Sequence, residues 1–292
     1  MISKGLFFAI LAPVCYSFRA FFLKIAPPAQ IEFYLFFRYA TDFIFFIPFF
    51  ILHFRELKPR RLFLLLGRSL LSLPALYLAI YGYRHLALVD AILLESTMPL
   101  FILLIVLMLK KRKATLSSFY PLLVGFIAVY LLLKPKLEIF HLATLASLSV
   151  GLIGASMCVL LHEVSKVNKT ACILFYFYMV TLPMSAIPCA YTWQPIGDHS
   201  IWLYLLLMGV FGVLYNFSMT KAYSLAPPHI VGGFSYFGIL ASALLDWGIW
   251  GKVMGPTQLL GGFLLLVSGL LIVREDKKNN ERESMASLAQ SD

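Results

Sequence analysis

Three arginines, Arg19, Arg38 and Arg68, stand inside long apolar runs, and the carboxylates Asp42, Glu95 and Asp246 stand at similar depth in theirs. A guanidinium is charged at any physiological pH. Holding one in hydrocarbon costs at least a few kcal/mol, so such residues face a bundle interior or a wet cavity. The chemistry on offer is the recognition of charged groups within a membrane, which suits a carrier or channel and not an anchor. A guanidinium fork matches carboxylate or phosphate in bidentate fashion. Glu95 lies beside Ser96 and Thr97, one turn before Pro99. A carboxyl there suits a cationic group or a coupling proton, or a partner for one of the arginines.

Each candidate has a plainer reading beside the functional one. Arg38 and Asp42 are four apart on one helix face and can pair, either as a structural ion pair or as a substrate-carboxylate clamp. Arg19, with Tyr16 a turn back and Lys24 near, is also read as an interhelical partner or as snorkelling to the surface. Arg68 snorkels in the same way from its helix end. Asp246, beside Trp247, reads as interfacial. Tyr77, Tyr81, Tyr215 and Tyr236 are candidates to line a cavity, where an aromatic cage takes a sulfonium or ammonium and stacks an adenine; packing and an interfacial belt are the alternatives. The candidate substrate-binding set is Arg38, Arg68, Glu95, Arg19, Asp42, Tyr77, Tyr81, Tyr215 and Tyr236.

No catalytic motif accompanies these residues. His162-Glu163 lacks the second histidine of a zinc helix, and no nucleophile elbow, P-loop or dinucleotide fingerprint appears. No metal, no cofactor and no enzyme activity are expected, and transport must draw on a gradient or on exchange. An intramembrane enzyme acting on lipid head groups is the rival class. It needs His and Asp/Glu converging near one interface, whereas His53, His85, His141, His162, His199 and His229 scatter along the chain. Cys15, Cys158, Cys172 and Cys189 all fall in apolar segments, with neither disulfide nor CxxC spacing.

The elements that position these groups are apolar helices. The chain is 61% hydrophobic and only 13% charged, with mean hydropathy +0.86; soluble domains carry roughly 25% charged residues. Continuous apolar runs exclude the alternating barrel pattern. At about 20 residues per crossing, ten spans are predicted: 5–25, 31–52, 62–83, 88–109, 118–134, 143–163, 171–191, 200–221, 229–249 and 256–273. With the N-terminus inside, the inner segments carry Arg55, Lys58, Arg60 and Arg61, then Lys110 to Lys113, Lys166 and Lys169, Lys221, and Arg274, Lys277, Lys278 and Arg282. The outer ones carry far fewer: Lys24, Arg84, Lys134, Lys136 and Lys252. This bias places both termini in the cytoplasm and accounts for most of the net charge of +10 without nucleic acid. Trp193, Trp202, Trp247 and Trp250 mark the outer interface. Gly151, Gly154 and the pair Gly232-Gly233 allow close helix contact. The polar tail after Arg274 reads as disordered.

The first five spans match the last five at an offset of 140 residues, so Pro48 falls on Pro188 and Tyr83 on Tyr223. Five is odd, so the second half lies inverted relative to the first, an arrangement that carriers build around a midplane site. The expected domains are 1–136 and 137–274, followed by a disordered cytoplasmic tail, 275–292.

Several motifs point further. Pro28 precedes Arg38 by ten residues; Gly82 to Ala91 leads to Met98-Pro99-Leu100-Phe101; Lys134-Pro135 follows the fifth span; Lys221-Ala222-Tyr223 and Gly261-Gly262 through Gly269 occupy the second half. In this combination the chain resembles the drug/metabolite transporter superfamily, in its ten-helix EamA-like branch, from about residue 5 to 273. Arg68, 31 residues before Pro99, is similar to an arginine opening helix 3 in S-adenosylmethionine uptake carriers. The common Leu-Gly-Glu after helices 4 and 9 is missing, since Lys111-Arg112 and Gly251-Lys252 stand there, so no role of that glutamate carries over. The resemblance implies a secondary active transporter of a small polar organic metabolite, with S-adenosylmethionine exchanged for its demethylated product as the specific candidate and amino acids or other anionic metabolites as the alternative. Expected partners are that small molecule and the lipid bilayer, with a second copy of the chain as a candidate homodimer partner. The expected location is the bacterial cytoplasmic membrane.

Overall fold

The structure is a computed structural model that describes residues 2–27, 29–86, 94–109, 119–133, 142–194, 198–251 and 255–288. Everything regular among them is helical: α1 (Ile2–Ile25), α2 (Ile31–Leu52), α3 (Leu62–Leu70), α4 (Ser72–His85), α5 (Met98–Met108), α6 (Phe119–Leu133), α7 (Leu142–Ser165), α8 (Thr170–Tyr191), α9 (Ile201–Leu225), α10 (Pro228–Phe234), α11 (Tyr236–Trp250) and α12 (Pro256–Leu288), with a short 3-10 turn at Phe54–Glu56. Helix is the only open-chain way to satisfy backbone polar groups in lipid. Seven helices or joined helices among the described residues are long and apolar enough to cross a membrane, and shorter apolar stretches lie at Phe119–Leu131 and Leu259–Ile272. The expected span 88–109 falls partly outside the described residues. So do the loop 134–141, where the two halves were expected to meet, and Pro28.

Three expected spans are broken, and proline explains the two in the first half. A proline removes one backbone bond and its ring clashes with the carbonyl four residues earlier. Pro74 therefore acts on Leu70, where α3 ends, and Pro99 acts on Glu95, after which Ser96-Thr97 form a turn. In the second half a break at Ser235 divides α10 from α11. There the Ser235 N–H donates to Gly232 O at 3.0 Å and its hydroxyl to the same oxygen at 2.7 Å, a tight turn with no proline. Ser235 lies 139 positions after Ser96, so the interruptions correspond between halves. The tail departs from expectation: α12 continues to Leu288. The segment from Glu275 to Leu288 carries three Glu and two Lys with Arg282, Met285, Ala286 and Leu288, which extend an existing helix at little cost.

Packing follows an exchange rule. Helix α1 packs on α9 and on α10 and α11, while its counterpart α7 packs on α3 and α4 and on α5. Helix α2 lies on α9, and its counterpart α8 lies on α3. The pairs α2 with α8 and α6 with α12 map onto themselves. Reciprocal pairing of this kind is what a pseudo-two-fold axis produces, and with an odd number of crossings per half the repeats are inverted. Small residues set the close contacts: a Cβ on Gly151 would lie 2.8 Å from Thr97 Oγ1, and one on Gly125 would meet the Tyr236 ring at 2.6 Å.

Two polar ties fix the ends. The Arg60 N–H donates to Asn168 Oδ1 at 2.7 Å and Asn168 Nδ2 returns a bond to Arg60 O at 2.8 Å. This joins the basic loop between α2 and α3, where Arg61 takes a left-handed φ of 56°, to the basic turn between α7 and α8. At the opposite face Asp198 accepts the Ser200 N–H at 2.8 Å. That bond holds its carboxyl below the usual range, so the start of α9 keeps the negative charge its dipole favours.

Candidate functional site

The centre of the bundle is organised on Asp42, which is fully buried. Its Oδ2 accepts three bonds: from Arg19 Nη2 at 3.0 Å, from Asn216 Nδ2 at 3.2 Å and from the Tyr178 hydroxyl at 3.3 Å. These donors come from α1, α9 and α8, so one carboxylate ties both halves together. Asp42 Oδ1 has no hydrogen-bond partner among the described residues. It lies against Gly212, where an added Cβ would stand 2.8 Å from Asp42 Cγ and closer still to Oδ1. Only glycine lets α9 approach α2 this closely.

Arg19 is thus the interhelical partner of Asp42, itself 4% exposed, and the expected Arg38–Asp42 pair does not form. The Asp42 carboxylate is already taken up by Arg19, Asn216 and Tyr178, and a base one turn before an acid is the weaker order for a pair along one helix. Arg38 instead sets its guanidinium 5.0 Å from the Tyr39 ring centroid, with a long bond from Nη2 to the Tyr39 hydroxyl at 3.4 Å. Its Nε is buried without a partner.

Arg68 does not snorkel. It is 8% exposed, its guanidinium lies 4.9 Å from the Phe177 ring centroid, and its Nε has no acceptor. Tyr178, Tyr215, Tyr223 and Cys158 share its electrostatic surroundings. Among the described residues no carboxylate lies within ion-pair distance of Arg38 or Arg68, so two guanidiniums stand there without a counter-ion beside a third that is neutralised.

Glu95 occupies the broken helix, at the turn that packs on Gly151, and acts electrostatically on Tyr16 together with Arg38 and Arg19. The Tyr16 ring lies 5.3 Å from that of Tyr215, which sets Tyr215 beside this group. Of the other tyrosines, Tyr77 on α4 is 46% exposed, much as Tyr16 is at 48%, and among the described residues no contact ties it to these groups. Tyr81 stacks on His85 at 4.2 Å, one turn along its own helix. Tyr236 is buried in the seam of α6, α11 and α12, with its hydroxyl toward Leu122 O at 3.5 Å. Helical phase explains this: composition marks a tyrosine, but only the rotation of its helix decides whether it meets lipid, a seam or the centre. Sequence reasoning missed Tyr39, Phe177, Tyr178, Asn216 and Gly212. The available signal was the polar pair Tyr215-Asn216 in an otherwise apolar span.

His162 Nδ1 bonds Tyr223 O at 2.7 Å and belongs to the α7–α9 contact. The four cysteines are free and buried.

Comparisons with known proteins agree with this architecture. The profile of the EamA-like transporter family matches residues 3–134 and again 139–274. A riboflavin transporter of Vibrio cholerae is 24% identical over 66% of this chain and 65% of its own length, just under two thirds of that relative. A pseudopaline exporter of Pseudomonas aeruginosa is 27% identical over 70% of this chain and 72% of its own length. An S-adenosylmethionine uptake transporter of Rickettsia felis is 24% identical over 85% of this chain and 84% of its own length. One solved crystal structure superposes with a TM-score of 0.80 at 14% identity, covering 93% of this chain and 98% of the other, which is a likeness of fold.

Proposed function

This chain belongs to the EamA-like transporter family, and from that premise we propose that it is a secondary carrier, not an enzyme, which moves a small carboxylate-bearing metabolite across the bacterial cytoplasmic membrane by alternating access. The observation that carries the reading is Arg68, a buried guanidinium seated on an aromatic ring without a counter-ion among the described residues. Its burial opposes folding, and a transported carboxylate supplies the missing charge through a bidentate bond. Arg38 holds a carboxylate in the same way, and Glu95 faces the cationic group of a zwitterion or carries the coupling proton. Tyr16 and Tyr215 flank the body of the substrate. Arg19 and Asp42 hold the two halves together. Both termini lie in the cytoplasm, and the repeats 1–136 and 137–274 rock about the centre.

S-adenosylmethionine exchanged for S-adenosylhomocysteine is the first pair to test. It presents a carboxylate, an ammonium, a sulfonium and an adenine, and the Rickettsia relative matches over most of both chains. Amino acids and other anionic metabolites are the second reading, favoured by the excess of guanidinium over carboxylate. The scatter of His53, His85 and His162, each bonded to a backbone carbonyl, speaks against a lipid-modifying enzyme. In proteoliposomes, uptake of labelled S-adenosylmethionine should rise several-fold when S-adenosylhomocysteine is enclosed. If folded protein accumulates or exchanges neither these compounds nor any of a panel of amino acids and carboxylates, the carrier reading fails.

A further inference from the structure

The two guanidiniums that lack a counter-ion among the described residues lie at opposite depths. Arg38 is seven residues from the Ile31 end of α2, about 10 Å along the axis, and Arg68 is six residues from the Leu62 end of α3, about 9 Å. These ends belong to opposite faces: the loop after α2 and the start of α3 share the face of the Arg60–Asn168 tie. Because α2 spans about 33 Å, the two Cα positions are separated by roughly 10–15 Å along the bundle axis. Side chains lean toward their own N-termini, which widens the gap, since α2 starts at one face and α3 at the other. The neighbours agree. Arg68 sits among Cys158, Phe177 and Tyr223 toward the Asn168 face, with Tyr178 and Tyr215 on its inner side, and the Phe177 ring meets the Tyr39 ring edge-on at 6.1 Å between the two guanidiniums. Arg38 sits with Tyr39 and Tyr16, toward the other face. Between them stands Asp42, already occupied by Arg19, Asn216 and Tyr178.

We infer that Arg38 and Arg68 are two successive carboxylate stations, one toward each face of the membrane, divided by the neutral Arg19–Asp42 pair. Each station offers a guanidinium fork backed by an aromatic ring. The divider adds no net charge to repel an anion in passage, and Arg19 Nε is itself free of protein acceptors, leaving a donor along the way. In each inward- or outward-open state the substrate carboxylate meets a different arginine first.

This inference rests on the carrier reading for its kinetic test, but its binding test does not. With the full chain reconstituted in one orientation, S-adenosylmethionine exchange gives a KM from each face. Arg38→Gln should raise KM about tenfold at the Ile31 face and less than about threefold at the other, and Arg68→Gln should do the reverse, the tenfold being that of one charge-assisted bond. Arg68→Lys, which keeps charge without the fork, should fall between. Equal shifts at both faces in each variant, or unchanged KM values in Arg68→Gln, overturn the stations. In detergent, the rise in unfolding temperature on adding S-adenosylmethionine should shrink in each single variant and vanish in the double. If the compound stabilises the wild type but is not transported, the carrier reading falls and this second series alone decides the stations. Undiminished stabilisation of the double variant overturns them, as does a wild type that neither S-adenosylmethionine nor a panel of small carboxylates stabilises.

Discussion

Arg19→Gln and Arg68→Gln remove the same charge from the same bundle and should have opposite consequences. Arg19 neutralises Asp42 at 3.0 Å. Without it a carboxylate with no exposure is left uncompensated, a loss of about 3–5 kcal/mol that should lower the unfolding midpoint in detergent by ~5–10 °C. Arg68 has no acid to compensate among the described residues, so Arg68→Gln removes a desolvation cost and should leave the midpoint unchanged or raised while the KM at its own face rises about tenfold. A stability loss in Arg68→Gln equal to that in Arg19→Gln would make Arg68 a structural residue. The contact at Gly212 belongs to the same scale. Gly212→Ala drives a methyl into the Asp42 carboxylate and should weaken both folding and transport, whereas Gly67→Ala, where a Cβ meets nothing within 4 Å, should be neutral in the same thermal and uptake assays.

Among elements, the interrupted helices matter most. Breaks at Ser96-Thr97 and Ser235 occupy matching places in the two halves, and corresponding interruptions are where inverted-repeat carriers build their sites. Glu95 sits at the first of them, so Glu95→Gln should reduce initial uptake at least severalfold at matched expression, more than Asp246→Asn does. The tie between the α2–α3 loop and the α7–α8 turn is a second element-scale device. Asn168→Ala removes both bonds to Arg60, worth about 1 kcal/mol each, and should speed amide exchange and proteolysis in residues 57–61. Unchanged protection there would mean that the Arg61 turn and Cys172, whose thiol points to Leu57 O at 3.6 Å, hold the loop unaided.

For the molecule as a whole, the exchange-symmetric packing makes orientation a single binary property. Lys58 is exposed on the basic face and His199 on the opposite one. A membrane-impermeant maleimide applied to intact cells should label His199→Cys and spare Lys58→Cys. The background should be low, because Cys15, Cys158, Cys172 and Cys189 are all buried. The reverse pattern would place both termini outside and would exchange the two stations between faces without altering either.

What the sequence by itself determined was everything that lipid enforces locally. Span positions, the all-helical class and the repeat are legible because an unpaired backbone group or a charge in hydrocarbon is costly wherever it falls, so hydropathy and proline leave a linear record. That Arg19, Arg38, Arg68, Asp42 and Glu95 are special was legible for the same reason. Which of them pair was not: Asp42 chose Arg19 across two helices over Arg38 on its own face. Nor could the sequence sort Tyr215 from Tyr77, Tyr81 and Tyr236. Partnership and lining depend on the rotation of each helix and on the crossings it makes with neighbours distant in sequence, as in Asp42 with Asn216 and Tyr16 with Tyr215. Those are set by side chains interlocking in three dimensions, which only the tertiary structure decides.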